Sequence, residues 1–283
     1  MTTKKLYLYL ILTFAIGWLC QGMAIMGGLK SGGRTWLLLT MWAPLLAALL
    51  IGRDTRGQLW ARIKRAGWVL WPLALLIGWS FNGGAQLLLA AFQQGHWNAE
   101  FFRLSADGRG IDSIHHLGTV LGPDQQGFGY FSINILLSVA LGSVVTMVMG
   151  GIGEEGGWRG VLQPEMASRF GALKGTALVG LIWGFWHLPA NLAGLNDVQH
   201  PLMQSLLIFP LETVCMAFAL AWLAKRSGSV WPAALAHAAN NVLSSGAILL
   251  PDSWLAEQLS NVAASVVIGA VFAWLLAREA GRQ

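Results

Sequence analysis

Two adjacent carboxylates and an arginine mark the part of this sequence where chemistry is most expected. Glu154, Glu155 and Arg159 follow the run 130–150, which contains no charged side chain. Charged groups inside or beside a bilayer are costly and usually serve a function. If a helix begins near residue 153, Glu155 and Arg159 share one face because they are four residues apart. Glu154 is then free to act as a general base, although a salt-bridged helix N-terminus explains the same residues equally well.

Two later apolar segments contribute a histidine each. His187 lies in the aromatic-rich run 183–189, and His237 lies among alanines. Asn241 shares a helical face with His237, so the two side chains could bind a developing oxyanion. Taken alone, a core histidine or an interhelical hydrogen-bonded pair explains each segment. Taken with the carboxylates, the segments predict one polar site walled by helices.

The three clusters together resemble the CPBP family of intramembrane proteases, which includes the CAAX prenyl proteases. The resemblance rests on Glu-Glu-x-x-x-Arg at 154–159, on His187 and on His-x-x-x-Asn at 237–241. The lead-in at 225–232, Lys-Arg-Ser-Gly-Ser-Val-Trp-Pro, also matches. One position departs from the pattern, because Trp183 stands where the family usually has phenylalanine. This departure bears on the shape of the pocket.

The resemblance implies hydrolysis of a peptide bond within the membrane by an activated water molecule. Glu154 would be the general base, and His187 would hold the same water. In the alternative interpretation Glu154, His187 and His237 bind zinc, since three such ligands and a water make an acceptable catalytic site. The metal-free version is favoured because no His-Glu-x-x-His helix supplies two histidines at once. No cofactor is therefore expected.

The other matched residues receive supporting roles from the same resemblance. Glu155 and Arg159 would orient the site, while His237 and Asn241 would bind the oxyanion. The expected partners are a membrane protein or peptide substrate, with CAAX-type processing as one form of it, and the lipid bilayer. Two alternatives stay open: a non-proteolytic scaffold of the same family, serving bacteriocin self-immunity or partner binding, and a proton-coupled transporter.

The elements that must position these residues are membrane helices. The chain is 55% apolar and only 11% charged, whereas a soluble domain carries about 25% charged residues. The net charge of +5 does not indicate nucleic-acid binding, because the basic residues lie between apolar runs. The predicted fold class is therefore all-α, a polytopic membrane helix bundle.

Apolar runs of about 20 residues are long enough to cross a bilayer. They predict eight transmembrane helices at about 6–27, 35–52, 69–92, 128–150, 174–195, 203–224, 231–250 and 256–277. The distribution of Lys and Arg predicts that both termini lie in the cytoplasm. The expected location is the bacterial inner membrane. The chain, 1–283, is interpreted as one integral-membrane domain. Its parts are N-terminal helices and loops at 1–127, catalytic-core helices at 128–250, and a last span with its tail at 251–283.

The basic segment 53–67 predicts a short interfacial helix. Leu59, Trp60 and Ile63 would touch the acyl boundary while Arg and Lys side chains meet anionic head groups. The first apolar run is interpreted as a retained helix and not as a signal peptide, because it is nearly as long as a full span.

The polar stretch 93–127 predicts an ordinary solvated loop. Its adjacent His115 and His116 point apart and lack further ligands at a suitable spacing, so they do not indicate a metal site. Cys20 and Cys215 lie far apart in apolar runs and are expected to be packing residues. Glu212 lies near the middle of a predicted span, where it lines the site cavity or serves as a hydrogen-bonding strut.

Overall fold

Helices make up most of the chain in the computed structural model, which describes residues 1–99, 102–113, 125–244 and 246–280. The α-helices are α1 (Thr3–Gly27), α2 (Arg34–Thr40), α3 (Ala43–Leu50), α4 (Arg53–Ile63), α5 (Trp71–Ala91), α6 (Phe128–Thr146), α7 (Ile152–Gly157), α8 (Gln163–Phe170), α9 (Ala172–Trp186), α10 (Leu188–Leu192), α11 (Pro201–Met203), α12 (Phe209–Ser227), α13 (Trp231–Leu243) and α14 (Trp254–Ala280). Turns of π-helix occupy Gly28–Gly32, Met147–Gly151, Trp158–Leu162 and Gln204–Ile208, and a 3₁₀ turn occupies Trp68–Leu70. The described strands are β1 (Gly95–Trp97), β2 (Phe102–Leu104), β3 (Gly110–Ser113), β4 (Gln125–Gly127) and β5 (Leu249–Pro251).

Among the described residues, five helical stretches are long and apolar enough to cross a membrane. They are Thr3–Gly32, Trp68–Ala91, Phe128–Phe170, Pro201–Ser227 and Trp254–Glu279. These stretches confirm the predicted all-α membrane fold. The predicted spans 35–52, 174–195 and 231–250 coincide with shorter or broken helices, so the count of eight spans stays a prediction.

Two of the shorter spans are broken at a proline. Helix α2 ends at Thr40, and α3 resumes with Pro44 in its first turn. Helix α9 ends at Trp186, and α10 resumes with Pro189 in its first turn. Proline has no amide hydrogen and is tolerated in the first turn of a helix but not inside one. The second break places His187 at a helix junction inside the bundle.

One end of the bundle, called the basic end, collects α4 and the ends of α8, α12 and α14. The amino group of Met1 donates to Glu165 Oε2 at 2.9 Å. Arg226 Nη1 lies 3.8 Å from Glu279 Oε1. The first and last helices therefore reach the same end, and the positive-inside rule predicts that this end faces the cytoplasm.

The opposite end carries the pairing of β1 with β5. His96 Nδ1 lies 2.8 Å from Asp252 Oδ1, and Trp254 Nε1 donates to Asp197 Oδ2 at 2.5 Å. Partial burial opposes the ionisation of Asp197, but hydrogen bonds from the His200 amide and the Trp254 indole outweigh it and lower its pKa. These contacts attach the loop after α10 to the start of α14.

The fourth predicted span, 128–150, lies within a longer helical stretch. Helix α6, a π-helical turn, α7, a second π-helical turn and α8 follow one another without a break from Phe128 to Phe170. Glu154 and Glu155 therefore lie inside a long helical stretch and not at a helix N-terminus, which removes the capping interpretation. The π-helical turns at Met147–Gly151 and Trp158–Leu162 flank α7, and such turns are frequent at functional sites.

Glycines let α7 lie directly against the junction of α2 and α3. A Cβ atom on Gly153 would lie 2.6 Å from the Met41 carbonyl oxygen. A Cβ atom on Gly157 would meet the Pro44 side chain and lie 2.6 Å from its carbonyl oxygen. Small residues allow this close approach of helices in a membrane. The close packing of Gly153 and Gly157 therefore fixes the position of Glu154 and Glu155, which lie between them.

We expect Gly157→Ala to destabilise the protein by about 1–3 kcal/mol, because the added methyl group meets backbone that cannot move aside. The measurement is thermal unfolding of the purified protein in detergent. Gly57→Ala is the matched control, since nothing lies within 4 Å of its added Cβ on exposed α4. An equal melting temperature for the two variants would contradict the packing described here.

Two expectations for the loops need correction. The interfacial helix is present as α4, but Leu59 is buried in the core, where its side chain fills the space beside Gly160. Within 93–127, the structure forms strands that pair antiparallel in the order β2-β3-β4 and not a simple loop. His115 and His116 lie outside the described residues. Of the two cysteines, Cys215 is buried and Cys20 is half-buried, and both are free.

Candidate active site

Three separate segments bring their polar side chains to one cavity of about 610 Å³. Glu154 comes from α7, His187 from the junction of α9 and α10, and His237 and Asn241 from α13. These are four of the six residues that the sequence singled out. The structure therefore gathers on one cavity wall the residues for which a joint role was predicted.

Glu154 is almost completely buried, with 2% of its surface exposed. Its Oε2 atom accepts hydrogen bonds from Trp183 Nε1 at 2.7 Å and from Trp158 Nε1 at 3.3 Å. No described residue donates a hydrogen bond to Oε1. The two indoles thus fix the carboxylate through one oxygen and leave the other available to a ligand in the cavity.

Glu155 and Arg159 lie behind this wall and are fully buried. Arg159 Nη1 donates to Glu155 Oε1 at 3.1 Å and lies 3.0 Å from Oε2. The predicted pairing four residues apart is present, even though a π-helical turn begins between the two residues. The Arg159 guanidinium also stacks 4.9 Å from the centre of the Trp183 ring. Together these contacts hold both charges in place behind the cavity.

His237 connects the buried ion pair to the cavity. Its Nδ1 atom lies 3.0 Å from Glu155 Oε1. Because a carboxylate only accepts hydrogen bonds, Nδ1 must carry the proton of this contact. The opposite nitrogen, Nε2, is left for the cavity. Glu155 therefore sets the tautomer and the orientation of His237, much as a carboxylate does for a catalytic histidine.

His187 is oriented in a similar way by the backbone. Its Nδ1 atom donates to the Trp183 carbonyl oxygen at 3.1 Å. In the neutral ring this places the free lone pair on Nε2. The ring packs between Trp186 and Phe209, with centroid distances of 4.8 and 4.9 Å. A fixed ring with a free Nε2 lone pair can accept a hydrogen bond from water.

Sequence reasoning missed the residue that holds the His187 junction in place. Gln21 on α1 donates through Nε2 to the Trp186 carbonyl oxygen at 2.9 Å and accepts from the Ala190 amide at 3.1 Å. It thereby holds both sides of His187. A buried glutamine inside the first apolar run was the signal available, since polar residues in membrane helices usually have a partner.

We expect Gln21→Leu to lower kcat for peptide cleavage about tenfold or more with a smaller change in KM, because misplacing a catalytic group by about 1 Å costs up to 10²-fold. The measurement is steady-state cleavage kinetics of the purified protein. Gly22→Ala is the control, since nothing lies within 4 Å of the added methyl group. A change in KM alone would contradict a positioning role for Gln21.

Two further amides were missed. Asn82 on α5 donates through Nδ2 to Asn240 Oδ1 at 2.8 Å and to the Asn240 carbonyl oxygen at 3.1 Å. Both side chains line the cavity beside Asn241. This contact fixes α13 against α5 one residue before Asn241. Each of these half-buried amides therefore has its partner on a helix that is distant in sequence.

The part of the chain that holds the candidate site resembles a known protein family. Residues 136–243 match the family model described as Type II CAAX prenyl endopeptidase Rce1-like. The predicted resemblance is confirmed. The matched region, called the Rce1-like region below, contains all six predicted site residues and supports a membrane protease. In the comparison with curated proteins, nothing matches this chain.

At one position the Rce1-like region differs from the CPBP pattern, because Trp183 replaces the usual phenylalanine. The structure shows what this difference adds: the indole Nε1 donates the 2.7 Å hydrogen bond to Glu154. Phenylalanine has no such donor. The departure therefore bears on how the carboxylate is held as well as on pocket shape.

Glu212 lines the same cavity, as one of the two interpretations of its mid-span position expected. Glu257 on α14 also lines it, together with Asn196 and Gln204 near the opposite end of the bundle. The cavity therefore extends from the carboxylate of α7 towards the end where β1 pairs with β5. This polar lining gives water a route to a site enclosed by helices.

The zinc interpretation needs three ligands close together. Within the described part of the chain, no three His, Cys, Asp or Glu side chains are grouped in a way that could hold a metal ion. Glu154 Oε2 is held by two indoles, so only its Oε1 atom is free for a further ligand. No preformed zinc site is therefore found among the described residues.

Proposed function

We propose that this protein is an intramembrane endopeptidase. It hydrolyses a peptide bond of a membrane-associated protein or peptide with a water molecule that Glu154 and His187 activate. The observation that carries this proposal is the convergence of Glu154, His187, His237 and Asn241 on one cavity. Three helices that are far apart in sequence contribute these groups, and the Rce1-like region contains all of them.

The first step needs a base and a second group that positions the water. Glu154 Oε1 takes the proton, while its Oε2 stays bound to the Trp183 and Trp158 indoles. The Nε2 lone pair of His187 accepts the other hydrogen of the same water. The water oxygen attacks the carbonyl carbon of the peptide bond. A positioned general base of this kind contributes about 10²–10⁴-fold to the rate.

The second need is a pair of donors for the oxyanion that forms on the carbonyl oxygen. Asn241 supplies an amide N–H, and His237 supplies Nε2–H when its ring is protonated. Glu155 holds the Nδ1 side of that ring from behind. Donors aimed at the developing charge are worth about 10²–10³-fold each. Glu154 then returns its proton to the leaving amine, which completes the hydrolysis.

The substrate and location follow from the family and from the charges. The first substrate class to test is a CAAX-type peptide with a prenylated C-terminal segment, because the matched family is one of prenyl endopeptidases. The positive-inside rule places the basic end in the cytoplasm. His237 lies six residues after Trp231, or about 9 Å along the helix from that end. The catalytic groups are therefore proposed to lie in the cytoplasmic half of the bundle, and the cavity extends from them towards the opposite end.

The test is cleavage of quenched fluorescent peptides by the purified protein in detergent and in proteoliposomes. Matched farnesylated and unmodified CAAX peptides form two arms, with a general peptide library as a third. Cleavage by the wild type that is lost in Glu154→Gln supports the proposal, and faster cleavage of the farnesylated peptide supports the substrate class. A chelator arm should leave activity unchanged. Binding without any cleavage by a folded wild-type protein would overturn the proposal in favour of a non-proteolytic scaffold.

A further inference from the structure

A second cavity, of about 750 Å³, lies at the basic end of the bundle and is separate from the candidate active site. It is called the basic pocket below. Helix α4 forms one wall, the stretch from Arg159 to α8 a second, and the ends of α12 and α14 complete it. None of its lining residues lines the active-site cavity. Apart from Arg159, which pairs with Glu155, its residues have no role in the proposed peptidase chemistry.

Four basic side chains line this pocket: Arg62, Arg65, Arg159 and Lys225. Among the described side chains, no Asp or Glu lines it. Of the described acidic residues at this end, Glu165 pairs with Met1 and Glu279 with Arg226. Arg159 is paired with Glu155, and the other three basic groups have no ion pair with a described carboxylate. Their positive charges around one concave space favour a negatively charged ligand.

Two of these basic side chains, Arg62 and Arg159, are removed from water without a full set of hydrogen-bond acceptors among the described residues. Arg62 is half-buried, and burial lowers the pKa of its guanidinium because it penalises the charged form. Arg159 is fully buried and bonds to Glu155 through Nη1, but its Nε and Nη2 atoms have no hydrogen-bond partner among the described residues. Buried donors without a partner are costly and rare. A ligand with several acceptor oxygens would satisfy them.

We propose that the basic pocket binds a phosphate group, carried by an anionic lipid of the leaflet that the basic end faces. Phosphate offers several acceptor oxygens to arginine forks, which is the chemistry that the lining supplies. The lipid source is favoured over free phosphate because Ala61, Ala221, Ala224 and Leu276 give the pocket an apolar wall. Basic pockets between membrane helices on the cytoplasmic side commonly hold lipid head groups.

The experiment measures binding and stability, so its outcome does not depend on any peptidase activity. Purified protein is reconstituted with phosphatidylcholine alone or with added phosphatidylglycerol. Lipids that remain bound are counted by native mass spectrometry, and the melting temperature is recorded. The pocket variant is Arg62→Ala/Arg65→Ala, and the matched control is Arg53→Ala/Arg56→Ala. The control removes the same charge from exposed positions at the start of α4 that do not line the pocket.

We expect phosphatidylglycerol to stay bound to the wild type and the control and to raise their melting temperatures. In the pocket variant its affinity should fall by about tenfold or more, since each basic residue contributes about 1 kcal/mol near an anionic surface. Equal effects in both variants would overturn the proposal, because they would show general attraction to a charged surface. If inorganic phosphate in phosphatidylcholine gives the same stabilisation, the lipid source is wrong. Should the pocket variant fail to fold in phosphatidylcholine, the exposed Lys225→Ala takes its place with the same expectations.

Discussion

Glu154→Gln is expected to lower kcat/KM for peptide cleavage by about 10²–10⁴-fold, the range that a positioned general base contributes. The amide keeps the shape of the side chain and an oxygen that can still accept from Trp183, so the fold should be preserved. What is lost is the ability of Oε1 to take a proton from water. The measurement is cleavage of the best peptide substrate, with the melting temperature of each variant as a check on folding.

Glu212→Gln is the matched control for this variant. It makes the same chemical change in a side chain that lines the same cavity but takes no part in the proposed steps. We expect its kcat/KM to stay within about threefold of wild type, as for a change that removes no transition-state interaction. Equal losses in the two variants would mean that the cavity needs negative charge in general, and not a base at residue 154.

Arg159→Met is expected to destabilise the protein by about 3–5 kcal/mol, which is the usual cost of removing one partner of a buried ion pair. The carboxylate of Glu155 would be left fully buried with only His237 beside it. The stacking of the guanidinium on Trp183 would also be lost. Unfolding in detergent, followed by circular dichroism, measures the effect.

Two further variants test whether the loss comes from the unpaired charge. Glu155→Gln/Arg159→Met should be more stable than Arg159→Met alone, because it leaves no uncompensated carboxylate. Arg169→Met removes an arginine that also pairs four residues away, with Glu165, but that is partly exposed. Such a pair is worth about 0–1 kcal/mol, so its loss should be much smaller. Similar losses for Arg159→Met and Arg169→Met would show that burial of the pair is not the cause.

The residues of the site could be predicted from the sequence because charged and imidazole groups are conspicuous in apolar helices. Glu154, His187 and His237 stood out for this reason, and the structure brings them to one cavity. The pairing of Glu155 with Arg159 was also predictable, since it depends only on a spacing of four residues.

The course of the helix around these residues was not predictable from local composition. The apolar run without charged side chains ends at residue 150, so the predicted span ended there. Inside a membrane the backbone has no water to bond to, so the helical hydrogen bonds continue through the glycines. Neighbours supply the rest, since Gly153 and Gly157 fit against the junction at Met41 and Pro44.

The supporting polar residues were missed for a different reason. Gln21 bonds to the backbone of Trp186, and Asn82 bonds to Asn240, across separations of more than 150 residues. Nothing in the local sequence of either residue indicates which helix lies opposite. Leu59 is a similar case, because its burial depends on the space beside Gly160.

The two cavities have a consequence for the electric field across the membrane. The active-site cavity reaches Trp183 from the opposite end of the bundle, and the basic pocket reaches Arg159 from the basic end. Between them lies one buried layer, in which the guanidinium is 4.9 Å from the centre of the indole ring. Where water enters from both sides, a membrane voltage falls over the remaining dry layer, at about 2.3 kcal/mol per charge for 100 mV. Glu154 and His237 line the active-site cavity beside this layer, so a membrane voltage would act on the groups that are proposed to handle protons.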